Sequence, residues 1–306
     1  MTSRFFIFGA GYSGLAIARE AIEAGGMAAG TTRSPDKAKA LDDAGITPLL
    51  FDGTSLSTEI ADALYTTTHL VVSIAPDHGM RGNDVDAPQA RASVDPVLAV
   101  AREIIANDMP ALRWIGYLST VGVYGDHDGA WIDENASCNP TSRRSQMRLE
   151  AENEWLALGK QTGLPVAVLR LSGIYGPRRN GLVNLAGGTA KRIIKPGQVF
   201  NRIHVEDIAG AAMLLAASES GGIFNVTDDE PAPPQDVVAY AASLMRVAPP
   251  PTIAFDEAEM TPMARSFYGE NKRVSNARLK AAGYDFRFPN YRAALNDLWG
   301  TGRWCG

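Results

Sequence analysis

The first chemistry legible in the chain is phosphate binding. Gly9, Gly11 and Gly14 stand in the run G-A-G-Y-S-G, after the apolar stretch Phe5 to Phe8 and before the helical pattern Leu15-Ala16-Ile17-Ala18. In such a strand-turn-helix the first glycine makes the tight turn, the second lets backbone approach a pyrophosphate, and the third lets helix and strand pack closely. The phosphates then lie at the helix N-terminus, where unpaired N–H groups and the helix dipole favour negative charge. Tyr12 and Ser13 lie in the same turn and count as further contacts. A glycine run elsewhere would be a structural joint; the order strand, glycines, helix makes it a dinucleotide signature.

Which dinucleotide is decided about 20 residues further on, where an acid would bond a ribose 2′-hydroxyl and an arginine would accept a 2′-phosphate. The chain offers Thr31-Thr32-Arg33-Ser34, with Lys37 nearby and no acid before Asp36. Thr32, Arg33 and Ser34 therefore read as a 2′-phosphate pocket, so NADP is favoured and NAD is the alternative; Arg33 also fits an ordinary loop residue. Asp52, which ends Leu49-Leu50-Phe51-Asp52, could reach the adenine side. Ile74, Ala75 and Pro76 end the apolar run from Val71, in a loop expected beside the cofactor.

The elements that must position these residues follow from pattern and composition. With 306 residues and 45% hydrophobic content the chain can bury a substantial core. Strand-like and helix-like segments alternate through about residue 175, which predicts an α/β, Rossmann-type doubly wound parallel sheet. Helices are expected over 94–107, 143–158 and 208–217, and strands over 114–119 and 165–171. Later, Pro196-Gly197, Pro231 to Pro234 and Pro249 to Pro251 punctuate shorter elements. A smaller C-terminal substrate lobe is expected there: 1–176 form the dinucleotide domain, with 200–226 returning to it, and 177–199 with 227–306 form the lobe.

Net charge −5 argues against a nucleic-acid or anionic-membrane partner. No apolar run reaches the ~18 residues of a membrane span and no signal peptide precedes the first strand, so a cytoplasmic location is expected. Cys138 and Cys305 are too few for a disulfide framework, and His69, His78, His127 and His204 show no metal-ligand spacing, so no metal is expected.

Four segments in register carry a resemblance: G-A-G-Y-S-G, L-S-T-V-G-V-Y-G at 118–125, L-R-L-S-G-I-Y-G-P at 169–177 and R-I-H-V-E-D-I-A at 202–209. Together they resemble the extended short-chain dehydrogenase/reductase family, the group that includes sugar-nucleotide epimerases and dehydratases. The resemblance implies that Thr120, four residues before Tyr124, is the catalytic hydroxyl that bonds the reacting oxygen, with Ser119 beside it. A strand-end threonine bonding its own backbone is the alternative.

The family's Tyr-x-x-x-Lys pair is absent. If Glu152 is the glutamate that follows the lysine by four, the tyrosine position falls on Arg144 and the lysine position on Arg148, and no tyrosine lies between Tyr124 and Tyr175. A guanidinium, with pKa above about 12, cannot exchange a proton near neutral pH, although it can bind a ribose or a carboxylate. Arg148 can thus keep the lysine's cofactor-binding role. Arg144 cannot replace a phenol, and it fits equally a solvated helix face pairing with nearby glutamates. The chain thus resembles the atypical members of the family.

Other candidate proton donors are Tyr117, Tyr124, Tyr175 and His204, although the rings of V-Y-G and I-Y-G-P also suit packing under a turn. Arg202 shares a strand face with His204, and the pair could meet an anionic substrate. Asp207 reads as an N-cap or first-turn acid. Arg178 either lines the substrate site or is surface charge. Two functions remain open: an NADP-dependent oxidoreductase or epimerase-like enzyme acting on a small polar, sugar-derived or anionic molecule, or a non-catalytic NADP-binding redox sensor. Related proteins pair through helices at 94–107 and 143–158, so a homodimer is expected.

Overall fold

The computed structural model describes residues 2–76 and 93–306; His78 lies outside them. Arg4–Phe8 (β1) buries every residue but its first, as a parallel strand covered on both faces must. The glycine turn leads into Tyr12–Glu23 (α1), which buries Ile17, Ala18 and Ala21. In chain order follow Met27–Thr32 (β2), Pro35–Asp42 (α2), Thr47–Leu50 (β3), Thr58–Tyr65 (α3), His69–Val72 (β4), Leu98–Asn107 (α4) and Trp114–Thr120 (β5). A 3-10 turn at Val121–Tyr124 precedes Trp131–Ile132 (β6), Arg143–Thr162 (α5), Val166–Leu171 (β7), Gly173–Tyr175 (β8), Gly181–Ala186 (α6) and Arg192–Ile194 (β9). Arg202–His204 (β10), Val205–Ala217 (α7), Gly222–Val226 (β11), Pro234–Met245 (α8) and Thr252–Ala254 (β12) come next. Pro262–Phe267 (α9), Arg273–Val274 (β13), Ala277–Ala281 (α10) and Tyr291–Gly300 (α11) complete the chain. Among the described residues no helix is long and apolar enough to cross a membrane.

Seven strands form the main sheet in the order β11-β7-β5-β4-β1-β2-β3. Strands β2 and β3 run out to one side of β1, and β4, β5, β7 and β11 to the other, so the order reverses between β1 and β4. That switch point is where α/β sheets of this type, the Rossmann type expected from the sequence, place their ligands. The parallel register Phe8↔Val72 sets Gly9 beside Ser73 and Ile74.

Helix ends differ from the periodicity for local reasons. Helix α4 begins at Leu98, not at 94, because the Asp95 carboxylate accepts the N–H groups of Val97 (2.9 Å) and Leu98 (3.1 Å) and holds the chain in a turn. Helix α5 continues past 158 to Thr162, where Gly163 at φ 78° ends it in the left-handed region. Helix α7 starts at Val205, directly from β10, so Asp207 lies inside its first turn.

The chain divides into two compact units. The first is Met1–Val123, Pro140–Arg170 and Ile208–Phe224; the second is Tyr124–Asn139, Leu171–Asp207 and Asn225–Gly306. Residues 124–139, 171–176, 200–207 and 225–226, placed by the sequence boundaries with the first unit, group with the second because they bond its elements. Strand β6 pairs with β13, β8 with β10, and the Tyr124 hydroxyl donates to Asn225 Oδ1 at 2.7 Å. The core of the second unit gathers Tyr175, Leu182, Phe288, Tyr291 and Leu295.

Candidate functional site

In the first unit the glycine loop is shaped for close approach. Gly9 has φ 87°, and a Cβ on it would lie 2.8 Å from Ile74 Cγ1; a Cβ on Gly14 would lie 2.5 Å from Gly9 O. Neither position accepts a side chain without movement. At Gly11 a Cβ would meet nothing within 4 Å, so the space above the turn is open. Helix α1 has no acid in its first turn and no side chain capping it from Gly11, which leaves its N-terminus to a bound anion. The residues present therefore fit a dinucleotide pyrophosphate.

The loop is held by a residue that the motif does not include. Thr31 is 1% exposed; its Oγ1 accepts Gly9 N–H at 2.8 Å and its carbonyl accepts Ala10 N–H at 2.9 Å. A hydroxyl one residue before the strand end was the available signal. Around the loop, Tyr12 is half-buried and Ser13 buried. Thr32 and Ser34 are half-buried and joined by Ser34 N–H to Thr32 Oγ1 at 3.3 Å, while Arg33 is exposed. Ile74 packs over Gly9, followed by exposed Ala75 and half-buried Pro76. Asp52 is exposed and bends back on its own loop: its Oδ1 accepts from Thr54 Oγ1 (2.7 Å) and Thr54 N (2.8 Å), which hold the carboxyl below its usual range.

The end of β5 brings Thr120, Ser119 and Arg148 together, with different tasks. Ser119 is buried and donates its hydroxyl to Glu152, itself 1% exposed. Glu152 is held by Arg170 through Nη2 at 2.7 Å and through Nε at 3.2 Å to both carboxylate oxygens. Ser119 therefore anchors α5 to β5 and β7 through a buried ion pair. Thr120 is half-buried at the strand end, and its Oγ1 accepts Gly122 N–H at 3.1 Å, which leaves its own hydrogen available. Arg148 donates to Leu118 O at 2.7 Å and to the Tyr117 hydroxyl at 3.3 Å, with its guanidinium carbon 5.6 Å from that ring's centre. Burial pushes the Tyr117 phenol up. Arg144 is exposed, one turn nearer the helix N-terminus than the half-buried Arg148.

In the second unit, Arg202 and His204 share one face, as the strand pattern implied, and the pairing of β8 with β10, Gly173↔Arg202 and Tyr175↔His204, adds Tyr175 to it. That face is turned into the core. His204 is fully buried between the rings of Tyr175 (5.4 Å) and Phe288 (4.2 Å), its Nδ1 accepts Glu206 N–H, and desolvation drives its pKa down to about 4. A neutral, caged imidazole does not meet a solvent-borne anion. Burial likewise raises the Tyr175 phenol, and the Tyr124 hydroxyl is taken by Asn225. Arg202 spends Nη1 on Phe200 O (2.9 Å) and Ala232 O (3.0 Å). Asp207 accepts from the Tyr284 hydroxyl (2.9 Å), Arg287 N–H (2.8 Å) and Phe288 N–H (3.1 Å), so it ties the 284–288 loop down. Arg178 is exposed at φ 64° and gives its N–H to Trp304 O at 2.9 Å.

The model of the NAD dependent epimerase/dehydratase family matches residues 6–227. A functionally unknown conserved protein from Silicibacter pomeroyi DSS is 44% identical, with 98% of this chain and 99% of that one covered and a TM-score of 0.84. Protein YeeZ of Escherichia coli K12 is 28% identical over 250 residues, 80% of this chain and 84% of YeeZ. Human epimerase family protein SDR39U1, solved with NADPH, shares the fold at 18% identity and a TM-score of 0.71 over 97% of this chain and 99% of that one.

Proposed function

The chain belongs to the NAD dependent epimerase/dehydratase family, and from that premise we propose that it is an NADP(H)-dependent oxidoreductase or epimerase-like enzyme acting on a small polar, sugar-derived or anionic molecule. The observation that carries the cofactor reading is the strand end behind the glycine loop. There an exposed Arg33 stands between two hydroxyl residues, and the first acid, Asp36, is already in the first turn of α2. A guanidinium with flanking hydroxyls suits a 2′-phosphate dianion and offers a 2′-hydroxyl no acceptor of the usual carboxylate kind. Thr120, with a hydrogen free to donate, orients the reacting oxygen, and the cofactor supplies or takes hydride. Arg148 donates to Leu118 O and so holds the β5 end that presents Thr120.

Calorimetric titration tests the cofactor reading. NADPH is expected to bind at least ~10-fold more tightly than NADH, about 1.4 kcal/mol, and Arg33→Ala is expected to erase most of that difference. Equal affinities in the native protein would refute it. The exposed Arg144 at the tyrosine position favours the second reading, a sensor that binds NADPH without turnover; failure of every carbonyl and alcohol in a broad screen to change NADP(H) redox state would select it.

A further inference from the structure

Helix phase brings an unexpected residue of α5 to the Thr120 hydroxyl. Ser145, 6% exposed, lies three residues before Arg148 and so on its face of the helix. A Cβ built on Gly122 would lie 3.0 Å from Ser145 Oγ and 3.3 Å from Thr120 Oγ1. The two hydroxyls therefore lie close together against the same side of Gly122, where glycine leaves no side chain between them. Both are already acceptors. Ser145 Oγ accepts the Ser142 hydroxyl at 2.9 Å, and Thr120 Oγ1 accepts Gly122 N–H at 3.1 Å. Ser142 Oγ in turn accepts Ser145 N–H at 3.2 Å, which fixes the serine at the helix N-cap. Thr120 and Ser145 have each used an acceptor position and retain the hydroxyl hydrogen.

The geometry points to Ser145 as a second donor to the substrate oxygen, acting with Thr120 on a single carbonyl oxygen, with Ser142 as the relay that reprotonates it. This rests on the reading of the protein as an NADP(H)-dependent reductase. In the reducing direction the carbonyl carbon accepts a hydride, with its electron pair, from reduced nicotinamide, and the π pair moves onto oxygen. Ser145 gives its proton to that oxygen, takes the Ser142 proton, and Ser142 takes one from water. The carbonyl is reduced to an alcohol, the nicotinamide is oxidised, and one proton is drawn from solvent. Two preplaced donors stabilise the charge that develops on oxygen, and the alkoxide formed by hydride transfer is basic enough to draw the proton of an ordinary hydroxyl along the relay. The site therefore selects a ketone or aldehyde whose oxygen fits between two hydroxyls, and the work of the missing phenol falls to a serine three positions, not four, before the cationic residue.

The test uses the full-length protein, NADPH and 9,10-phenanthrenequinone as the carbonyl probe. Ser145→Ala is expected to lower the rate of NADPH oxidation by ~10-fold or more with NADPH affinity within about two-fold of native, and Ser145→Thr, which keeps a hydroxyl, to restore most of it. Infrared difference spectra of the quinone bound to the protein with NADP⁺ give a readout independent of turnover. The carbonyl stretch is expected to be lowered in the native protein and in Ser145→Thr, and to move back toward its free value in Ser145→Ala. An unchanged rate or an unchanged stretch in Ser145→Ala overturns the proposal. So does a protein that binds NADPH and neither binds nor reduces the quinone. If NADPH itself fails to bind in calorimetry, the reading of the function falls as well, so the two failures are told apart.

Discussion

Replacing Arg170 by Met tests whether a buried ion pair, and not apolar packing alone, sets the end of β5. The side chains of Arg170 and Glu152 are 4% and 1% exposed, so solvent screens their pairing little. Arg170→Met keeps length and apolar contact but leaves the Glu152 carboxylate buried, with the Ser119 hydroxyl as its remaining partner at this site. Breaking one side of such a pair costs about 3–5 kcal/mol. With a urea slope of about 3 kcal/mol/M, the unfolding midpoint falls by roughly 1 M or more. The double variant Glu152→Met with Arg170→Met removes the uncompensated charge and costs chiefly the Ser119 bond, so it is expected within about 2 kcal/mol of native. Urea unfolding followed by circular dichroism and tryptophan fluorescence measures all the corners of this cycle. If Arg170→Met costs less than about 1 kcal/mol, or the double variant loses the sum of the singles, the pair does not hold the strand as argued.

His204 carries a pH prediction. Burial holds its pKa at about 4, below the ordinary imidazole value of about 6.5, so its contribution is present above about 6.5 and is lost as pH falls toward about 4, by about 3 kcal/mol in all. Asp207 and Asp228, raised by burial, act in the opposite sense, so the native protein is compared with His204→Gln between pH 7 and pH 4, and parallel stability curves would count against the caged imidazole. Gly14→Ala drives a methyl group to 2.5 Å from Gly9 O; it is expected to cost about 1–3 kcal/mol and to weaken NADPH by ~10-fold or more, read by thermal unfolding and calorimetry.

What the sequence determined was local. The glycine loop was legible because each glycine answers a constraint set by its immediate neighbours: a positive φ at Gly9 and a backbone contact at Gly14. The parallel sheet was legible because strands buried on both faces read as unbroken apolar runs, as Phe5 to Phe8 and Val166 to Leu169 do. The shared face of Arg202 and His204 likewise followed from the two-residue period of a strand, whereas the pairing that brings Tyr175 to it did not. Whether that face met solvent did not follow either. It was decided by Phe288 and the α11 core, which lie more than 80 residues further along and cage His204. At the β5 end the alignment of Arg144 and Arg148 with a tyrosine and a lysine was a statement about spacing, whereas the roll of α5 about its axis was fixed by Glu152 reaching Arg170 on another strand. That long-range pair turns the side carrying Ser145 and Arg148 inward, while Arg144, in the first turn of the same helix, is exposed. A helix period says which residues share a face; only the packing of the whole unit says where the face looks.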